Sequence, residues 1–115
     1  MEFILEAEEL YKDPELNEIS LSRALATNRT YLAEIFKRTV GLHFRDYLNI
    51  YRLMKAREIL INKKHENMSL IAISEEVGFR NYGTFNEAFK KYYGITPGEW
   101  RNKYRKSVSQ TKKTI

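Results

Sequence analysis

One small unit occurs twice in this chain, and that repetition limits what the chain can fold into. The stretch ATNRTYLAEIFKRTVGLHFRDY at residues 26–47 has the same frame as RNYGTFNEAFKKYYGITPGEW at residues 80–100. Corresponding positions lie 52 apart at Leu21 but 53 apart from Leu32 onward, so the turn of the second unit holds one extra residue. Each unit consists of a short segment, a tight turn, a longer segment, a glycine and an aromatic residue.

Apolar residues recur at intervals of three and four through both units, which is the spacing of helices that bury one face. No run alternates as a strand would, so the sequence predicts an all-α fold of about seven helices. The residues suited to begin or end these helices are Asn17, the Thr-Asn pair at 27–28, Ser69, Asn81 and Pro97, and Gly41, Gly78 and Gly94.

The expected organisation follows from these boundaries. We expect a first helix near residues 2–12, and a last helix that buries Trp100 and ends near Tyr104. Inward positions of the two longer unit helices are predicted to be Tyr31, Leu32, Ile35 and Phe36, and Phe85, Ala88 and Phe89. The predicted parts are an acidic helix and connection over 1–15, a first lobe about 16–43, a linker helix about 44–61, a second lobe about 69–104 and a basic flexible tail over 105–115.

Two helices joined by a turn of a few residues form a helix-turn-helix, and each unit fits that description. A helical solenoid is the other architecture that repeats suggest, but a solenoid needs at least three repeats to close its core. The sequence therefore favours two helix-turn-helix lobes joined by the uninterrupted segment at 44–61. We expect their second helices to be roughly parallel and one DNA turn apart, ~34 Å.

The second helix of such a unit can present polar side chains to the major groove of DNA. Threonine and alanine suit the thymine methyl group, asparagine pairs with adenine, and glutamate accepts a hydrogen bond from cytosine. For one lobe alone, an ordinary solvated face is an equally good interpretation; two matching lobes favour DNA. The outward positions by helical spacing are Arg29, Thr30, Ala33, Glu34 and Lys37 in the first unit, and Tyr82, Gly83, Thr84, Asn86, Glu87 and Lys90 in the second.

Charge is spread unevenly along the chain. Residues 1–18 have a net charge of −6, residues 19–100 a net charge of +5 and residues 101–115 a net charge of +6. A basic body and a basic tail favour a polyanionic partner. Cysteine is absent, which excludes a disulfide scaffold and fits a reducing compartment, so we expect a cytoplasmic location.

Little in the sequence points to catalysis or to a bound cofactor. His43 and His65 are isolated, and no cluster of Cys, His and acidic residues has metal-ligand spacing. The adjacent Glu75 and Glu76 fit a solvated helix face, and no constellation supports an enzyme. No long apolar run suggests membrane contact. The alternatives to specific DNA binding are a helical protein-interaction module, for dimerisation or polymerase contact, and RNA binding, for which no module pattern is present.

The segment ISEEVGFRNYGTFNEAFKKYYGITPGEWR, residues 73–101, resembles the second lobe of the DNA-binding domain of AraC/XylS-type bacterial transcription regulators. The segments at 27–41 and 47–60 resemble that family's first recognition helix and linker helix. The resemblance covers about residues 16–104. It implies base-facing positions at Thr30, Ala33, Glu34, Tyr82, Gly83, Thr84 and Glu87, with Arg29 beside them, and phosphate neighbours at Lys37, Arg38, Lys90 and Lys91.

This chain departs from the family pattern at several of these positions. Ala26 stands in the first turn where the family usually has glycine, so a positive φ there would be strained. Glu34 and Glu87 stand where many relatives carry arginine, and pairing with Arg38 and Lys91 on their own helices competes with base contacts. The resemblance further implies double-stranded promoter or operator DNA as partner, RNA polymerase as another, and no cofactor. Either the chain is the output piece of a larger regulator with a ligand-sensing or receiver domain, or it is free-standing.

Overall fold

The computed structural model describes residues 9–41 and 43–114, and it confirms the predicted all-α fold for them. Two short 3-10 helices, Leu10–Lys12 and Lys63–His65, accompany six α-helices. The expected first helix near residues 2–12 lies mostly outside the described residues, and its described end is the first 3-10 helix. The α-helices are α1 (Glu18–Ala24), α2 (Arg29–Val40), α3 (Phe44–Ile61), α4 (Leu70–Glu76), α5 (Tyr82–Tyr93) and α6 (Pro97–Thr114).

Side-chain hydrogen bonds cap the N-termini of the four helices of the repeated units, as the sequence predicts. The side-chain oxygens of Asn17, Asn28, Ser69 and Asn81 accept hydrogen bonds from backbone amides three residues further on, at 2.8–3.0 Å. These bonds satisfy amides that the first turn of a helix leaves without partners. The longer helices α2 and α5 end at Gly41 and Gly94, whose φ values are 78° and 86°.

The two units also repeat a buried hydrogen bond in the helices α1 and α4. The hydroxyl of Ser22 donates to the carbonyl of Ile19, and the hydroxyl of Ser74 donates to the carbonyl of Ile71, both at 2.7 Å. Both serines are buried, so this local bond satisfies a polar group that would otherwise be costly to bury. The same solution at matching positions shows that the sequence repeat is a structural repeat.

The turns between the paired helices differ in length, as the offset in the sequence predicts. Residues 25–28 separate α1 from α2, whereas residues 77–81 separate α4 from α5. Both turns contain a residue in the left-handed conformation at the matching position: Ala26 has a φ of 54°, and Gly78 has a φ of 94°. Ala26 is therefore strained, as its departure from the family pattern led us to expect.

Replacing Ala26 with glycine should stabilise the protein. The left-handed conformation costs a residue with a Cβ atom about 1–2 kcal/mol, and glycine's greater freedom in the unfolded chain offsets about 0.4–1 kcal/mol of that. We expect Ala26→Gly to raise the free energy of unfolding by about 0.5–1 kcal/mol. Urea unfolding measures this change. Ala24→Gly, the same change on a helical backbone in α1, is the control, and equal losses in both variants would contradict the expectation.

Helix α3 forms the centre of the molecule, and both lobes pack on it. Its buried apolar side chains are Phe44, Leu48, Tyr51, Leu53, Ala56 and Leu60. In lobe 1, formed by α1 and α2, the Phe36 ring lies 5.7 Å from Phe44 and 5.0 Å from Tyr47, centre to centre. In lobe 2, formed by α4, α5 and α6, the rings of Phe85 and Phe89 are fully buried and 5.8 Å apart. The whole molecule measures 55 × 25 × 24 Å.

Two expectations about side chains in α2 are wrong. Tyr31 is 57% exposed and Ile35 is 39% exposed, although both were expected to face inward. Leu32 and Phe36 form the buried line of α2, and Tyr31 with Ile35 form the adjacent line, about 100° around the helix. The buried line packs on α3 through the contacts of Phe36 with Phe44 and Tyr47.

The last helix is longer than the sequence predicts. It begins at Pro97, as expected, but continues to Thr114 rather than ending near Tyr104. Arg101 donates to the carbonyl of Met68 at 2.7 Å, and Arg105 donates to the carbonyl of Glu66, so α6 is attached to the loop before α4. Trp100 is partly buried and stacks on Tyr104 with 5.5 Å between ring centres.

Across the part of the chain that the structure describes, none of the helices is both long enough and apolar enough to span a membrane.

Candidate nucleic-acid interface

Helix α2 exposes nearly all of its predicted DNA-facing residues. Its core contacts come from Leu32 and Phe36, which leaves the opposite side open to solvent. The exposed side chains are Arg29, Thr30, Glu34, Lys37 and Arg38, and Ala33 is half-buried at the edge of the packed side. This surface combines four kinds of group: a hydroxyl, a carboxylate, a methyl group and several cations.

The carboxylate of Glu34 is engaged by its own helix. Arg38 Nη2 donates to Glu34 Oε1 at 2.7 Å, and both side chains are more than half exposed. Pairs of this kind, four residues apart on an exposed helix face, stabilise a helix by only about 0.2–0.5 kcal/mol. The pair is therefore easily broken, and in the free protein it occupies one of the two carboxylate oxygens of Glu34.

Helix α5 exposes most of the corresponding set in lobe 2. Gly83, Thr84 and Glu87 are exposed near its start, and Lys90 and Lys91 are exposed near its end. Positively charged side chains at the end of a helix also interact favourably with the helix dipole. We call Gly83, Thr84 and Glu87 the reading surface of lobe 2. It is smaller than the sequence predicts, because Tyr82 and Asn86 are half-buried.

Tyr82 and Asn86 do not lie fully outward, which corrects the expectation for both. The Tyr82 ring packs against Phe85 with 6.1 Å between ring centres, and its hydroxyl lies 3.5 Å from Asn86 Oδ1. Both side chains are half-buried. Helical spacing predicts which side of a helix a residue lies on, but it does not include the length of the side chain. The long side chain of Tyr82, at the first position of α5, reaches back to the core.

The two glutamates that match in the repeat differ in their surroundings. Within residues 9–41 and 43–114, Glu34 is paired with Arg38, whereas no ion pair joins Glu87 to Lys91 or to another cation. Glu87 is exposed on the face that also carries Thr84 and Gly83. Its carboxylate oxygens are therefore open acceptors, the property that a contact with cytosine N4 requires.

A cleft of about 640 Å³ lies between the lobes, beside both of these helices. Arg29, the first residue of α2, and Thr84 of α5 both line it, as do Arg45 of α3 and Arg80 of the second turn. We call this the interlobe cleft. Its lining includes four arginines and two glutamates, so its net charge is positive. Sequence reasoning missed Arg45 and Arg80, because segments far apart in the sequence bring them to this cleft.

Arg52 forms part of the cleft lining and holds a distant segment in place. It is 6% exposed, and it donates from Nε to the carbonyl of Tyr11 at 2.8 Å and from Nη2 to the carbonyl of Asp13 at 2.7 Å. Its guanidinium also lies 5.9 Å from the centre of the Phe79 ring. Burial lowers the pKa of Arg52 to about 10, so the group is still charged at neutral pH. Arg52 thus joins the segment before α1 to α3 and to lobe 2.

A metal site does not form among the residues that the structure describes. No three His, Asp or Glu side chains in those ranges come close enough together to hold an ion. The surface chemistry present is instead that of hydrogen-bonding groups and cations arranged on two helices and in the cleft between them.

The comparisons with known proteins agree with this geometry. A family model described as a helix-turn-helix domain matches residues 21–103. The uncharacterized HTH-type transcriptional regulator YtdP of Bacillus subtilis (strain 168) is 34% identical over 93 residues, which are 81% of this chain and 12% of that protein. The chain therefore spans about an eighth of the length of this curated relative.

Solved structures share the fold over most of the chain. The C-terminal domain of the two-component response regulator yesN from Fusobacterium nucleatum has a TM-score of 0.72 at 37% identity, covering 82% of this chain and 88% of that one. The DNA-binding domain of AdpA, a global transcriptional factor solved in complex with a target DNA, has a TM-score of 0.81 and covers 93% of each chain. At 20% identity, this second likeness shows the fold alone.

Proposed function

Because this chain belongs to the AraC-type family of helix-turn-helix transcription regulators, we propose that it binds a specific duplex sequence with α2 and α5 in two successive major grooves. DNA-binding transcription regulation is the function of the family. The observation that supports the two-groove arrangement is the repeat itself: two capped helices, each packed on α3 by one line of apolar residues and each exposing a polar face. Two such helices one DNA turn apart, ~34 Å, fit adjacent major grooves of one side of a duplex.

We divide the proposed contacts by role. Base contacts are assigned to exposed or half-buried residues in the first half of each helix, and phosphate contacts to the cations. Phosphate contacts fix the position of the protein on the duplex but carry no sequence information directly. The proposed base contacts are Thr30, Ala33, Gly83, Thr84 and Glu87, and the proposed phosphate contacts are Arg29, Lys37, Arg38, Lys90 and Lys91.

Glu87 is the better candidate for a specificity residue than Glu34. A carboxylate near the phosphate backbone is repelled, so it weakens binding unless it accepts a hydrogen bond from a base. Glu87 makes no ion pair within the described residues, while Glu34 is already bonded to Arg38. We therefore propose that Glu87 contacts a cytosine and that Glu34 mainly orients Arg38.

Selection of bound sites from random duplex DNA tests this division. Glu87→Gln should lose preference for cytosine at one position, since a good base contact is worth about 1–3 kcal/mol of discrimination. Glu34→Gln should keep the selected sequence and bind all duplexes equally or more strongly, because Arg38 is released. Lys90→Ala is the control for a phosphate contact: it should weaken every sequence alike and reduce the salt dependence by about 0.9 in log–log slope.

Two results would contradict the assignment. Unchanged base preference in Glu87→Gln would remove its role in specificity. Binding that does not respond to salt in the unsubstituted chain would contradict DNA binding through phosphates and would favour a protein-interaction module.

The remaining parts of the proposal concern the wider protein and its setting. The relative YtdP is several times longer than this chain, which supports a role as the output domain of a larger regulator whose other part senses a ligand or carries a receiver domain. Transcription regulation further supports action by binding rather than catalysis, a cytoplasmic site of action, and RNA polymerase as a second partner.

A further inference from the structure

An ion pair in the lining of the interlobe cleft joins two residues far apart in the sequence. Arg80 Nη2 lies 2.5 Å from Glu15 Oε2, and the two residues are 65 positions apart. Arg80 directly precedes Asn81, whose side chain begins helix α5. The guanidinium is therefore held beside the start of the second recognition helix, where a DNA phosphate is favoured by the helix dipole.

The position of Glu15 is fixed by the chain around it. Its backbone amide donates to Asp13 Oδ1 at 2.9 Å, and the carbonyl of Asp13 accepts from Arg52 Nη2 at 2.7 Å. Pro14 lies between them and restricts the backbone further. Glu15 is thus carried by a turn that is anchored to α3, rather than by a free surface loop.

The other charges of the cleft make Arg80 unusual there. Arg29 and Arg45 are exposed and make no ion pair within the described ranges, so they are open to an anion. Arg52 donates to backbone carbonyls inside the protein. Arg80 differs from these three arginines because its guanidinium is paired with a carboxylate, that of Glu15.

We propose that Arg80 binds a phosphate of the DNA backbone and that Glu15 occupies its guanidinium until the phosphate displaces the carboxylate. This inference rests on the proposed function, since it assigns a further contact to the same DNA complex. The guanidinium fork suits phosphate oxygens as well as carboxylate oxygens. Both side chains are about two thirds exposed, and exposed ion pairs stabilise a protein little, so the exchange costs little.

The exchange connects the strength of DNA binding to the segment before α1. A displacement of the turn at residues 13–15 frees Arg80 for phosphate, whereas a turn held in place keeps the carboxylate in competition with DNA. Any element of a larger regulator that moves this segment would therefore change affinity without touching a base contact.

Charge-matched variants measured on one selected duplex and one unrelated duplex test the proposal. Glu15→Gln should bind both duplexes about three- to fivefold more tightly at low salt, because Arg80 is released. Glu18→Gln removes the same charge from the same cleft but leaves the pair intact, so its gain should be clearly smaller. Arg80→Gln should bind both duplexes more weakly, with a salt slope smaller by about 0.9. In the Arg80→Gln background, the extra gain from Glu15→Gln over Glu18→Gln should disappear.

The outcomes separate this inference from the proposed function. Equal gains in Glu15→Gln and Glu18→Gln, or a gain from Glu15→Gln that persists without Arg80, would overturn the exchange while leaving specific DNA binding intact. An unchanged salt slope in Arg80→Gln would show that Arg80 contacts no phosphate. Absence of salt-dependent duplex binding by the unsubstituted chain would overturn the proposed function, and the exchange with it. Thermal unfolding of the variants should stay cooperative, with no more than the small shift expected for the loss of one exposed ion pair, which excludes misfolding as the cause.

Discussion

Gly78→Ala should lower the free energy of unfolding by about 2–5 kcal/mol. A Cβ atom at this position would lie 2.1 Å from the carbonyl oxygen of Tyr11 and 2.9 Å from Nε of Arg52. The first of these is a backbone atom, so it moves only if the whole segment before α1 moves. The left-handed backbone, with a φ of 94°, adds its own strain to the overlap.

Gly94→Ala separates the two contributions. Gly94 also has a positive φ, 86°, but a Cβ atom there would meet no other atom within 4 Å. This variant should therefore lose only the conformational part, about 0.5–1 kcal/mol once the smaller freedom of alanine in the unfolded chain is included. Urea unfolding of both variants gives the difference directly. Equal losses would show that the close approach of the Tyr11 carbonyl to Gly78 contributes nothing.

Arg52→Met should lower the free energy of unfolding by about 3 kcal/mol. Methionine keeps an unbranched apolar stem but leaves the carbonyls of Tyr11 and Asp13 without the donors they have now. Buried acceptors that lose their partner retain the cost of leaving water. Arg57→Met, the same change at an exposed position of α3 whose guanidinium lies over the Tyr93 ring, is the control and should cost less than about 1 kcal/mol.

The double variant Gly78→Ala with Arg52→Met shows whether the two changes act on one contact. Both release the segment at residues 11–13, so their combined loss in urea unfolding should be clearly smaller than the sum of the separate losses. Strict additivity, or an Arg52→Met loss no larger than that of Arg57→Met, would contradict the role assigned to Arg52.

Local features of this fold could be predicted from the sequence because local interactions determine them. Asn17, Asn28, Ser69 and Asn81 begin helices by bonding amides only three residues away. The extra residue in the second turn followed from the repeat alone. The continuous helix near 44–61, observed as Phe44–Ile61, followed from an apolar stripe without glycine or proline.

The burial of individual side chains was predicted less well, because it depends on which elements pack beside each helix. Helical spacing groups Tyr31 with Leu32 as inward, but Tyr31 is 57% exposed and Leu32 is buried, because only the folded chain determines which of two adjacent lines is covered. Tyr82 has the opposite error, since its ring reaches the core from a position that spacing places outside. The exposed faces of α2 and α5 were correct in outline because they lie opposite Leu32, Phe36, Phe85 and Phe89.

The contacts of the segment before α1 could not be predicted at all. Arg52 is a charged residue within an apolar stripe, and its acceptors lie 41 and 39 positions earlier. Gly78 was recognised only as a helix stop, whereas its lack of a side chain also makes room for the Tyr11 carbonyl. Glu15 and Arg80 likewise meet only through the folded chain. Long-range contacts of single polar residues leave no periodic pattern in a sequence.

The unequal turns of the two units have a consequence for symmetry. Dimeric helix-turn-helix proteins have a two-fold axis, and their operators are accordingly palindromic. Here one chain carries two units in the same order, with residues 25–28 in one turn and residues 77–81 in the other, so the copies are not interchangeable. A single domain of this kind has a defined polarity on the duplex. The site that fits it is therefore a directional sequence without a centre of symmetry, and inverting that site turns the whole domain around.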